Sequence, residues 1–446
     1  MPRVPRRLPR RLATVVALLC LTSLAAACTT GGTAVETVVV TATSGNGSSG
    51  TQPAAQTASP ADTGAPSSGA ESGSADGSSS IVPTVPTTTV EPAPVATIAS
   101  NPKFGSKGLS PAAPIAITVQ KGTIDELTMT NPDGKEVDGK LSGDKQTWTL
   151  GEVLGYGKKY TVTGTATGTD GKQVKISGSY TTVTPTKSAR TTISPGDGKV
   201  VGVAAPVIVG FWTEPEDRAA IEKLVSITTE PEVDGAWAWI QHDEGYWGLD
   251  FRPKEYWPAG TKVHVSAKVY GFEFTKGVYG SEDITSDFTI GRNQVTYADV
   301  NSHELVVKRD GQTVATYPAS FGRATDENTT TRSGIHVVND KFDKKLMSNP
   351  RYGYENVLER YAVRISNNGE FIHANPGTVG AQGNTNVSHG CVNLSLENAQ
   401  AYYESAIYGD PVEVTGTAVE LGPSDGDIFD WAVSWDTWVS LSGKNN

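Results

Sequence analysis

Cysteine is nearly absent from this chain: three residues in 446, at Cys20, Cys28 and Cys391. So few thiols exclude a disulfide framework, and the folded parts must be held by their hydrophobic cores. A long apolar run is missing too. Leu12 to Ala27 is uncharged and mostly apolar, but it falls short of the roughly 20 residues that a comfortable spanning helix needs. Positive charge is in deficit, with 37 Lys and Arg against 48 Asp and Glu, a net charge of −11. Five of those positive charges (Arg3, Arg6, Arg7, Arg10 and Arg11) precede the apolar run, so the rest of the chain stands near −16. That balance argues against nucleic acid as a partner, which needs a basic face. His242 and His264 read as ordinary surface or core histidines, nothing has metal-ligand spacing, and no metal or other cofactor is expected.

What the N-terminus does contain is a basic segment, an apolar segment and the sequence Leu24-Ala25-Ala26-Ala27-Cys28. This order predicts an export signal over residues 1–28. Small residues followed by Cys resemble a bacterial lipobox, in which the Cys28 thiol is diacylated, although Ala25 stands where Leu is usual. Ordinary cleavage near Ala27 is the alternative, and the paired arginines leave the export route open. The expected location is the outer face of the cytoplasmic membrane, with the protein working in the cell-wall space. Residues 29–95 are Ser, Thr, Gly, Ala and Pro without aromatics, a composition that cannot offset ordering entropy and predicts a flexible tether.

The remainder reads as mainly β. Residues 96–185 show short alternating runs such as Lys159-Tyr160-Thr161-Val162-Thr163, separated by turns such as Asn131-Pro132-Asp133-Gly134. Residues 186–291 repeat the pattern, with a short helix expected over Glu216–Leu224 and with Trp237 and Trp239 on one strand face, more in keeping with a core than with a sugar platform. Turns every 8–12 residues predict two β-sandwich modules. Residues 292–417 form a third, β-rich domain containing a hairpin with Asp310-Gly311 in its turn. Ser395 is placed to cap a helix running to Ile407 and ended by Gly409. In the C-terminal segment, 418–446, Trp431, Trp435 and Trp438 recur at one helical face and predict a packing surface between domains.

Cys391 is the only cysteine beyond the N-terminal segment. It lies in Ser388-His389-Gly390-Cys391-Val392-Asn393, and His373 stands fifteen positions before Ser388. A lone thiol among histidines and glycine points to a nucleophile, because an imidazole raises the thiolate fraction and consecutive N–H groups can hold an oxyanion. This pattern, with Val379-Gly380-Ala381-Gln382-Gly383 before it, resembles the L,D-transpeptidase catalytic domain of the mycobacterial and wider actinobacterial branch. The resemblance runs from about Gln294 to the C-terminus and, more weakly, over the two preceding modules, which it makes Ig-like.

The resemblance implies an acyltransferase acting on peptidoglycan stem peptides. Cys391 would attack a stem tetrapeptide at its third residue and release D-Ala. An amine of a second stem would then resolve the thioester into a 3→3 cross-link, and carbapenem β-lactams would act as inhibitors. It also implies that His373 is the general base, with the carbonyl of Ala374, where relatives carry Ser, as the third member. His389 would orient the loop or move a proton. N–H groups of His389, Gly390 and Cys391 would form the oxyanion hole, with Ser388 and Asn393 in the same loop. Met347 and Tyr352 match a substrate flap, whose second tyrosine has Tyr354 and Tyr361 as candidates. The usual Thr-Pro-x-Gly on the wall of the site is here Thr331-Arg332-Ser333-Gly334. Two other readings stay open on the residues alone: a hydrolase of the same stems, in which water resolves the thioester, and a non-catalytic wall-binding lipoprotein.

Overall fold

The computed structural model describes residues 92–425 and 428–445, so the expected export signal, Cys28 and all but the end of the expected tether lie outside the described residues. Strand alternation builds the first module. In Lys159–Gly168, Tyr160, Val162 and Ala166 turn inward while Lys159, Thr161 and Thr163 face water. This strand sits between Gly122–Thr130 and Gln173–Thr181 in a three-stranded sheet, which shares a core with a four-stranded sheet around Ile117, Val119 and Trp148. The second module pairs two four-stranded sheets over Phe211, Trp239, Leu249, Phe251 and Trp257. Trp237 and Trp239 both pack on that core. The helix expected over Glu216–Leu224 is only Arg218–Glu222. Asp217 caps it, and Glu216 is excluded because its N–H donates to Phe274 O.

Two sheets make the third domain. A five-stranded sheet has the order Gln312–Pro318, Glu304–Arg309, Gln294–Asp299, Pro411–Thr415, Gly334–Val337. A four-stranded sheet runs Lys341–Asn349, Tyr354–Arg364, Phe371–Ala374, Val392–Leu394. Leu305, Phe321, Val363, Ile372, Val392, Leu394 and Val412 fill the core. The last two strands of the second sheet are parallel and bring His373 beside Asn393, two residues from Cys391.

Ser395 caps the helix Leu396–Ser405, which stops before Ile407. Gly409 serves a different purpose from a helix stop. It lies at φ 88°, and a Cβ there would sit 2.5 Å from that of Ala205. The second module therefore closes onto this turn, with Gly202 and Ala204 donating N–H bonds to Tyr408 O and Gly409 O.

The tryptophan segment is not one continuous helix. Trp431 lies in the 3-10 turn Asp430–Ala432, and Trp435 begins the separate helix Trp435–Ser440, which Ser434 caps. The three rings converge on the guanidinium of Arg252, in the second module, at 4.7, 5.3 and 4.8 Å from their centroids. Arg252 donates to Asp430 O and Val433 O. Trp438 and Trp431 donate in turn to Ala236 O and Ala204 O of the module.

Candidate active site

A cavity of about 610 Å³ opens above the four-stranded sheet, with Cys391, His373, Glu359, Tyr354, Met347 and Arg332 among its walls. The turn that carries Cys391 is fixed on several sides. Ser388 Oγ donates to Cys391 O and accepts from Gly390 N–H. Thr331 Oγ1 donates to Gly390 O at 2.8 Å. Asn393 exchanges backbone hydrogen bonds with Ser320. Gly390 lies at φ 129°, a conformation closed to other side chains even though space for a Cβ exists. Gly390 N–H is engaged by Ser388 Oγ, which leaves the amides of His389 and Cys391 as the turn's candidates for holding an oxyanion.

His373 is buried. Its Nδ1 lies 3.0 Å from Ala374 O and 3.2 Å from Glu359 Oε2. Burial pulls the ring's pKa down, but hydrogen bonds and charge from Cys391 and Glu359 outweigh it and raise the pKa to about 10. At neutral pH the ring therefore holds its proton, and it is an imidazolium partner of the thiol before it is a base. Ala374 turns its side chain into the core and offers its carbonyl to His373 Nδ1, the contact that the expected third member would make.

His389 stands apart from that pair. Tyr352 stacks on its ring at 4.7 Å and Tyr354 tilts against it at 5.6 Å. Burial and nearby Arg323 lower its pKa against the pull of Asp326, and the two tyrosine rings clamp it, which suits orientation of the loop. Tyr352 also donates to Asp326 Oδ1, and it grips His389 without lining the cavity. Met347 and Tyr354 do line it. Burial, reinforced by Cys391 and Glu359, raises the Tyr354 pKa, so the phenol stays a donor. Tyr361 packs on Tyr403 and the core, away from the cavity that Tyr354 lines.

Two features escaped the sequence. One is Glu359, which reads there as a charge on an ordinary strand. The other is the wall built where Pro is lost. Arg332 N–H, which proline could not supply, donates to Glu370 Oε1 at 2.9 Å, and Arg332 Nε pairs with Asp425 Oδ1 at 2.6 Å.

Residues 293–414 match the family described as the L,D-transpeptidase catalytic domain, and residues 106–273 match the bacterial Ig domain. L,D-transpeptidase 5 of Mycobacterium tuberculosis is 48% identical over 79% of this chain and 78% of its own length. L,D-transpeptidase 2 of the same species is 36% identical over 76% and 83%. Among solved structures, L,D-transpeptidase 3 of Mycobacterium tuberculosis in complex with a faropenem-derived adduct is 31% identical, covering 50% of this chain and 97% of that one, with a TM-score of 0.40.

Proposed function

The chain belongs to the L,D-transpeptidase family, and from that membership we propose that it joins peptidoglycan stems through a thioester on Cys391. The observation that carries this reading is the buried His373, held through Nδ1 by Ala374 O beside the cavity-lining thiol, with Cys391 and Glu359 favouring its charged form.

Cys391 Sγ, its proton resting on His373, attacks the carbonyl carbon of the third residue of a stem tetrapeptide. The developing oxyanion meets the amides of His389 and Cys391 and the Tyr354 phenol. His373 gives its proton to the departing D-Ala nitrogen, and the C–N bond breaks to leave the thioester. The side-chain amine of a second stem then attacks, His373 takes its proton, and the thiolate leaves with a 3→3 amide formed. A strained β-lactam carbonyl presents the same electrophile, so carbapenems acylate the same sulfur and their ring-opened product blocks it.

The test is to mix purified protein with a tetrapeptide-bearing muropeptide and weigh the products. Cross-linked dimer with free D-Ala is expected. Tripeptide alone would mean that water is the acceptor and would overturn the transferase reading.

Location completes the proposal. The basic and apolar N-terminus ending at Cys28 supports export and lipid anchoring, with residues 29–95 spanning into the wall. Cys28→Ala should move the protein from the detergent phase to the aqueous phase. Unchanged partitioning would refute the anchor.

A further inference from the structure

The strand Tyr354–Arg364 carries an irregularity beside the site. Val363 stands opposite Ile372 and Arg360 opposite Ala374, so three steps on this strand match two on its partner. The extra residue is a β-bulge. Tyr361 lies within it at φ 51°, a left-handed conformation that a bulky side chain rarely adopts, and its ring is anchored on Tyr403. The bulge changes parity. On its far side Val363 and Ile365 face the core, and Arg364 lines the cavity. Regular alternation would continue that order and bury Val357 and Glu359 against the core. With one residue inserted, both line the cavity instead. Glu359, its side chain only 16% exposed, thereby comes within 3.2 Å of His373 Nδ1.

We infer that Glu359, aimed by the Tyr361 bulge, is a positioning residue for His373: its carboxylate shares the Nδ1 proton with Ala374 O, fixes the tautomer, turns Nε2 toward Cys391 and keeps the ring charged for delivery of a proton to the leaving amine. The carbonyl of Ala374 can orient the ring but carries no charge. Glu359 adds one in a site where little water screens it. The charged groups acting on the ring are Glu359 from the strand Tyr354–Arg364 and Cys391 from the turn, both favouring its protonated form. Lys345 is the cross-strand neighbour of Glu359 and also lines the cavity.

The inference rests on the acyl-transfer reading for its purpose, but its test does not. The titration of His373 is followed by ring NMR in the full-length protein, the resonance being assigned by its loss in His373→Asn. In the unaltered protein the ring should titrate far above the ordinary range near 6.5. In Glu359→Gln, which keeps the shape and removes the charge, the titration should fall by about 1–3 units. The high-pH limb of carbapenem acylation should move down with it, slowing acylation by roughly tenfold or more above that new limb. A ring that titrates near 6.5 in the unaltered protein overturns the inference, and that result requires no variant to fold. So does a Glu359→Gln protein that loses acylation at every pH while His373 titrates unchanged, because Glu359 would then be structural only. If the unaltered protein is not acylated at all, the acyl-transfer reading fails while the titration still decides the role of Glu359.

Discussion

At the scale of single residues, the account assigns distinct work to groups that touch one another. In the proposed reaction Cys391 is the residue given a covalent role, so Cys391→Ala should abolish both carbapenem adduct and cross-linking. In the proposed mechanism His373 moves protons, and removal of such a group typically costs about 10²–10⁴-fold. His373→Ala should therefore slow acylation by about that factor, measured by stopped-flow with a carbapenem, without loss of the fold. The sign of the pH dependence follows from the raised pKa of His373. The working form is protonated, so acylation should persist through neutral pH and fall as pH rises through about 10. Gly390 is held at φ 129°, where a side chain costs about 1–3 kcal/mol in strain. Gly390→Ala should lower the acylation rate about tenfold or more, even though Cys391 and His373 are untouched.

At the scale of elements, the segment around Tyr352 and the Cys391 turn meet through aromatic contacts. Tyr352 presses on His389 and is tied to Asp326, and Tyr354 tilts against the same ring, so two side chains reach the loop that carries Cys391. Such a contact is worth about 0.5–1.5 kcal/mol. Tyr352→Ala should lower kcat/KM for the stem substrate by about 2- to 10-fold, while Tyr352→Phe, which keeps the stack, should lose less.

This is also the scale at which the sequence was least legible. Cys391, His373 and the turn between Ser388 and Asn393 could be read from residue order because their chemistry depends on near neighbours in the chain. Glu359 could not, because its direction depends on a one-residue bulge and strand periodicity alone would bury it. The availability of Gly390 N–H was hidden for a similar reason, since it depends on where Ser388 Oγ turns. Gly409 was legible as a backbone requirement, but the second module that imposes it is distant in sequence.

At the scale of the whole molecule, the C-terminal segment joins the catalytic domain to the second module. The sequence showed the three tryptophans but not their common partner, Arg252, nor the break at Ser434 that lets Trp431 turn separately. Removing Arg252 strands two carbonyls and three ring faces of the C-terminal segment. By the usual cost of lost buried hydrogen bonds and cation–π contacts, Arg252→Ala should destabilise the pair of domains by about 2–4 kcal/mol. Limited proteolysis should then cut the segment after residue 428 before any other described part, and equal protection of the variant would speak against this joint. The proposed chemistry nonetheless rests on one sulfur, and its most direct test is the mass of the acylated enzyme. Full-length protein is incubated with a stem tetrapeptide in the absence of an acceptor, quenched in acid, and analysed intact and after digestion. The account predicts a single adduct equal to the tetrapeptide less D-Ala, located on Cys391 and absent from Cys391→Ala. An adduct of equal yield on the Cys391→Ala protein, or on any other residue of the unaltered one, would contradict it.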